Sequence, residues 1–166
     1  MKNQKILIIY FSRADENYSV GYLEKGNTEV IAEYISDITG GDLFKVEPLN
    51  PYSKDYNTCI KEAGDRQASH NAPIKASIPD ISNYEVIYIG SPIYWGTMPE
   101  ELFTALKDVD FTGKTIRVFT THEGSGLANV PSDVKRICQG ANVLPNSLAI
   151  RGSSVSTARN TVEDWI

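Results

Sequence analysis

Three short stretches of the chain gather residues able to hold a ligand, and each follows an apolar run. The first is Ser12-Arg13, continued after an interval by Gly26-Asn27-Thr28. Hydroxyls, a glycine and the fresh N–H groups of a starting helix suit a phosphate, with Arg13 to offset its charge. Asn27 can equally act as a plain N-cap, and Arg13 as a solvated surface residue. The second stretch is Gly90-Ser91-Pro92-Ile93-Tyr94-Trp95-Gly96-Thr97-Met98-Pro99. Two adjacent aromatics where the chain leaves a strand suit a planar ligand or a partner. Pro92, Gly96 and Pro99 stiffen the turn. The competing reading packs Trp95 on the helix that follows. The third stretch is Thr120-Thr121-His122-Glu123-Gly124-Ser125-Gly126. Its small and hydroxylic residues can line one side of a ring system, with His122 within reach.

Other chemistries fit these residues less well. A serine hydrolase built on Ser125 and His122 would want a glycine two residues before the serine, and Glu123 stands there. A dinucleotide site would want Gly-x-Gly-x-x-Gly after the first strand, and the chain has none there. Cys59 and Cys138 lie far apart, outside any Cys-x-x-Cys or His/Cys cluster, so they read as core thiols rather than metal ligands. No block of Lys or Arg overrides the net charge of -5, which argues against nucleic acid. A phospho-receiver module would carry acidic residues at the ends of the first and third strands. Here those strands end in Tyr10-Phe11-Ser12 and Gly90-Ser91-Pro92.

The elements that must position these loops alternate. Residues 6–11, 86–89 and 115–121 are apolar runs rich in β-branched residues, as expected for parallel strands covered on both faces. Residues 43–47 and 148–150 are weaker and suit sheet edges. Between them, Val30, Ile31, Tyr34, Ile35 and Ile38 recur at helical spacing before Gly40-Gly41. Leu102, Phe103 and Leu106 mark a short helix, and Leu127, Val130, Val134, Ile137 and Cys138 another. Val155, Ala158, Val162 and Trp165 supply a last one. Residues 53–70 read as a polar helix with Tyr56, Ile60 and Ala63 inward. The pattern predicts one α/β domain over 1–166: a three-layer sandwich around a five-stranded parallel sheet of order 2-1-3-4-5. Ligands of such sheets bind at the carboxyl ends of the strands, between the first and third. All three loops fall there, and a flat amphipathic ligand with a phosphate tail fits them together.

Tyr10-Phe11-Ser12-Arg13 with Gly26-Asn27-Thr28 resembles the phosphate loop of the flavodoxins. Residues 90–96 resemble their second, ring-contacting loop, and 119–126 their third. Pro51-Tyr52 through Asp55-Tyr56 is further similar to a bacterial flavodoxin-like subgroup of flavoproteins. The resemblance covers nearly the whole chain. It implies non-covalent FMN, with Ser12, Asn27 and Thr28 at the phosphate and Tyr94 or Trp95 stacked on the ring. Pro92 and Ile93 lie in the same ring loop, and backbone groups of Trp95, Gly96 and Glu123 to Ser125 would meet its pyrimidine edge, beside Thr121 and His122. It also implies electron transfer with redox partner proteins or a small donor or acceptor. A charge of -5 is modest for a dedicated carrier, so an FMN-dependent NAD(P)H:quinone-type oxidoreductase is the alternative. One departure stands out: residues 14–25 interrupt the phosphate loop. With Tyr18 and Tyr22, they could form a flap, a partner surface or a solvated excursion. The absence of a long apolar segment and of a leader pattern at the start gives the expectation of a cytoplasmic protein, and a monomer or weak dimer is expected.

Overall fold

The computed structural model describes residues 5–17 and 21–166. The chain begins with strand β1 (Ile6–Tyr10), then a short antiparallel pair, β2 (Asp15–Asn17) and β3 (Gly21–Leu23), before helix α1 (Asn27–Thr39) and strand β4 (Asp42–Lys45). Helix α2 (Tyr56–Ser69), strand β5 (Val86–Pro92), helix α3 (Glu100–Leu106) and strand β6 (Thr115–His122) follow. Helix α4 (Val130–Ile137), strands β7 (Asn142–Val143) and β8 (Leu148–Arg151), and helix α5 (Arg159–Trp165) complete it.

The main sheet runs β4-β1-β5-β6, with β7 and β8 sharing the last position beside β6, and its pairings are parallel. Counted along the chain, the five strand positions have the order 2-1-3-4-5. The strands read as continuous apolar runs because both faces are covered. Leu7 and Ile9 face one core with Leu102 and Leu106 of α3 and Val130 and Val134 of α4. Ile8 and Tyr10 face the other, with Ile31 and Ile35 of α1 and Val162 of α5. Each such fully buried Leu or Ile contributes about 1.5–3 kcal/mol relative to exposure.

Three local readings change. The fifth strand position is held by two short strands rather than one, and Asn142–Val143 was not anticipated. The break between them contains Pro145, which has no N–H to donate. The last helical stretch opens as a 3-10 turn over Gly152–Thr157, and α5 proper starts only at Arg159. The interval 14–25 has structure of its own in the β2–β3 pair. Tyr18 and the side chain of Tyr22 lie outside the described residues.

Register puts the loops together. Tyr10 lies beside Gly90, Pro92 beside Thr121, and His122 beside Arg151. The chain therefore leaves β1, β5 and β6 at one edge of the sheet.

Candidate functional site

At that edge the loops enclose a cavity of about 340 Å³, within the size range of small-molecule sites. Of the residues anticipated from sequence, Arg13, Asn27, Thr28, Pro92, Ile93, Tyr94, Trp95, Thr121, His122, Glu123 and Ser125 line it; Ser12, Gly96 and Gly124 do not. The wall that sequence reasoning left out of the site is α2, which contributes Tyr56, Cys59, Ile60 and Ala63. Its inward spacing of apolar residues was visible. Nothing local said that this face meets the strand-end loops.

One end is the start of α1. Its N-cap is Gly26, which offers no side-chain cap, and Asn27 is the first helical residue rather than the cap. The hydroxyl of Ser12 reaches across from the β1 loop and accepts the Glu29 N–H at 3.0 Å. The N–H groups of Asn27 and Thr28 have no protein acceptor among the described residues, so the helix presents open donors to the cavity. A Cβ at Gly26 would meet the Ser12 hydroxyl and lie 2.5 Å from the Arg13 carbonyl, so only glycine permits this tight cradle. Thr28, 1% exposed, shares a 2.7 Å hydrogen bond with Thr121, which pins α1 to the end of β6. Arg13 is turned to the α2 side: its guanidinium donates to the carbonyls of Ser53 and Lys54 at 2.9 and 3.1 Å.

The other end is aromatic. Phe11, Tyr52 and Tyr94 meet edge-on, with ring centroids 5.7–6.2 Å apart. Tyr52 is held by Glu101, which accepts its hydroxyl at 2.8 Å, and Arg66 lies over its ring at 3.8 Å. Burial, reinforced by Glu101, pushes the Tyr52 hydroxyl far above its ordinary range, so it stays a donor. The Tyr94 hydroxyl is fully enclosed beside the Cys59 thiol and is likewise pushed up by burial. Burial also raises the neighbouring Cys59 thiol, which keeps it protonated and unreactive. Trp95 lies back over α2, not on the following helix as the competing reading had it. Its indole N–H donates to the Ile60 carbonyl at 2.8 Å, and the ring lies where a Cβ at Gly64 would sit 3.2 Å away. Trp95 remains 59% exposed. It adopts a left-handed φ of 50°, followed by 82° at Gly96, in a turn closed by Tyr94 and Thr97. For a bulky residue that conformation costs on the order of 1 kcal/mol or more and marks a loop shaped for something other than stability.

The third side is the turn after β6. Thr120 donates to the Gly126 carbonyl at 2.9 Å, and Arg151 to the Glu123 carbonyl at 3.3 Å. The Gly124 N–H donates to His122 Nδ1 at 2.9 Å, so that nitrogen is not available to act as base toward Ser125. One oxygen of Glu123 is buried without a hydrogen-bond partner among the described residues, beside Gly152 and the Asn27 amide.

Fold and site together define a doubly wound α/β protein with a ligand crevice at its topological switch point, open helix-start donors at one end and aromatics at the other. The sequence model of the flavodoxins matches residues 5–166, and the chain belongs to the flavodoxin family. Solved structures agree on the fold. A presumed flavoprotein from Bacteroides uniformis aligns over 98% of this chain and 99% of its own at 22% identity, with a TM-score of 0.75. A flavoprotein from Lactobacillus acidophilus, solved in complex with FMN, aligns over 93% and 97% at 24% identity, with a TM-score of 0.64. Flavodoxin 2 from Bacillus cereus aligns over 97% of both chains at 20% identity, with a TM-score of 0.57. No curated protein matches the chain. No helix among the described residues is long and apolar enough to cross a membrane.

Proposed function

We propose that this chain binds FMN in the crevice and passes electrons between redox partners. The observation that carries the reading is the mixed lining of the cavity. Its lining joins the unsatisfied N–H donors of Asn27 and Thr28 at the α1 start to an aromatic and apolar wall of Tyr94, Ile60 and Ala63. A phosphate at the α1 start would take the donors of Asn27 and Thr28, with Ser12 already capping the next turn. The glycine cradle at Gly26 fits such an occupant. Bound FMN would supply a ring that takes up and releases electrons singly or in pairs. The residues here orient it, exclude water from one face and set the field around it. Family membership and the FMN-bound Lactobacillus acidophilus relative support the cofactor. A cytoplasmic setting belongs to the same proposal.

The α2 wall favours keeping a second reading. Its apolar face widens the cavity past the three loops, which is where a small planar acceptor would enter an NAD(P)H:quinone-type oxidoreductase. The two readings separate by assay. For a carrier, the FMN-loaded and chemically reduced protein hands electrons to a protein acceptor such as cytochrome c, and shows no steady-state oxidation of NADH or NADPH with quinone. Sustained turnover with quinone would replace the carrier by the reductase.

A further inference from the structure

We infer that His122 is a positioning residue, whose neutral imidazole shapes the turn over 123–125 and makes cofactor binding weaken in acid. The inference rests on the FMN reading for its ligand, and on one hydrogen bond for its mechanism. His122 ends β6, and the N–H of Gly124, two residues on, donates to its Nδ1 at 2.9 Å. An imidazole nitrogen accepts only when it carries no proton, so the ring is in the tautomer with its hydrogen on Nε2. The geometry is that of an Asx turn with histidine in the place of asparagine. Gly124 has φ of 138°, a backbone conformation that L side chains rarely adopt, so the turn depends on this closure rather than on ordinary propensity. Protonating the ring puts a hydrogen on Nδ1 facing the Gly124 N–H, and the closure is lost. The residues it sets, Glu123 and Ser125, line the cavity with His122 itself.

The surroundings of the ring act, on balance, in the same direction. Burial and the Arg151 guanidinium, from the neighbouring strand β8, hold His122 below the ordinary histidine value, while Glu123 in its own turn pulls weakly the other way. Arg13, Tyr56, Cys59 and Tyr94 line the same cavity. Of these, Cys59 and Tyr94 are pushed upward and stay uncharged near neutrality. The sign follows. The neutral form is the binding form, so affinity is complete above the ordinary histidine value and is lost as pH falls through the lowered one.

The test is FMN titration from pH 8 to pH 5, followed by flavin fluorescence, on the native chain and on His122→Asn. Asparagine offers an acceptor that does not titrate. The phosphate of FMN itself titrates near pH ~6, but equally in both proteins, so the difference between the curves reads the imidazole. The dissociation constant of the native chain should climb more steeply in acid than that of His122→Asn, by an extra factor of up to about ten per pH unit. Parallel curves overturn the inference. If neither protein binds FMN, the proposed function fails, and nitrogen-15 NMR of the flavin-free chain decides the turn on its own. An unprotonated Nδ1 at neutral pH, with the Gly124 amide following the His122 titration, supports it. A proton on Nδ1, or a Gly124 amide indifferent to pH, overturns it.

Discussion

Glu101 is fully buried and both of its carboxylate oxygens are occupied. Arg66 donates to one at 2.7 Å and the Tyr52 hydroxyl to the other at 2.8 Å. The carboxylate therefore joins α2 to α3 and fixes the aromatic ring that braces Tyr94. Removing it strands a guanidinium whose side chain is only 15% exposed. Glu101→Ala should lower the unfolding free energy by about 3 kcal/mol, the lower part of the range for a broken buried pair because Arg66 keeps some water. Urea denaturation followed by circular dichroism measures this, and a loss under ~1 kcal/mol would mean that the pair is not a brace. None of this was legible in the sequence. Glu101, Arg66 and Tyr52 lie on three separate segments, and no spacing rule connects them. Ser12 is a similar case: its type suggested a phosphate ligand, but nothing local showed that its hydroxyl also closes a helix that begins 15 residues later. The residues that were legible, Thr28, Tyr94, Thr121 and His122 among them, sit directly at strand ends or a helix start, where topology alone sends them to the crevice.

Among the elements, the β2–β3 pair is set apart from the main sheet and, among the described residues, pairs with itself alone. Its two ends meet, because the Arg13 carbonyl lies against Gly26. Replacing residues 15–23 by a short Gly-Ser turn should leave the far-ultraviolet circular dichroism of the main sheet and helices in place. The unfolding free energy should change by less than ~1 kcal/mol, since loop-closure cost varies slowly with length. A molten spectrum, or loss of cooperative unfolding, would show that the pair supports the sheet. The sequence located this interval but offered no strand signal strong enough to read within it, since strands of three residues carry too little alternation. Helix α2 shows the opposite limit. Its extent and inner face were readable from Tyr56, Ile60 and Ala63, but its place in the site was not. Only tertiary packing brings it against Trp95 and Tyr94.

For the molecule as a whole, the order of the sheet was the most legible property. Continuous apolar strands require two covered faces, alternation with helices requires right-handed crossovers, and these leave few topologies. The switch point follows from that order, and with it the meeting of three loops distant in sequence. The split fifth strand was hidden because Asn142–Val143 is too short to register and a proline stands in the gap. This crevice, with open donors at α1 and an aromatic wall, is built for FMN. The most direct measurement is the absorption spectrum of the purified chain after incubation with FMN and removal of the excess. Flavin bands should remain with the protein at close to one per chain, with fluorescence quenched by the aromatic wall. A colourless protein, with all the flavin in the flow-through, would contradict it.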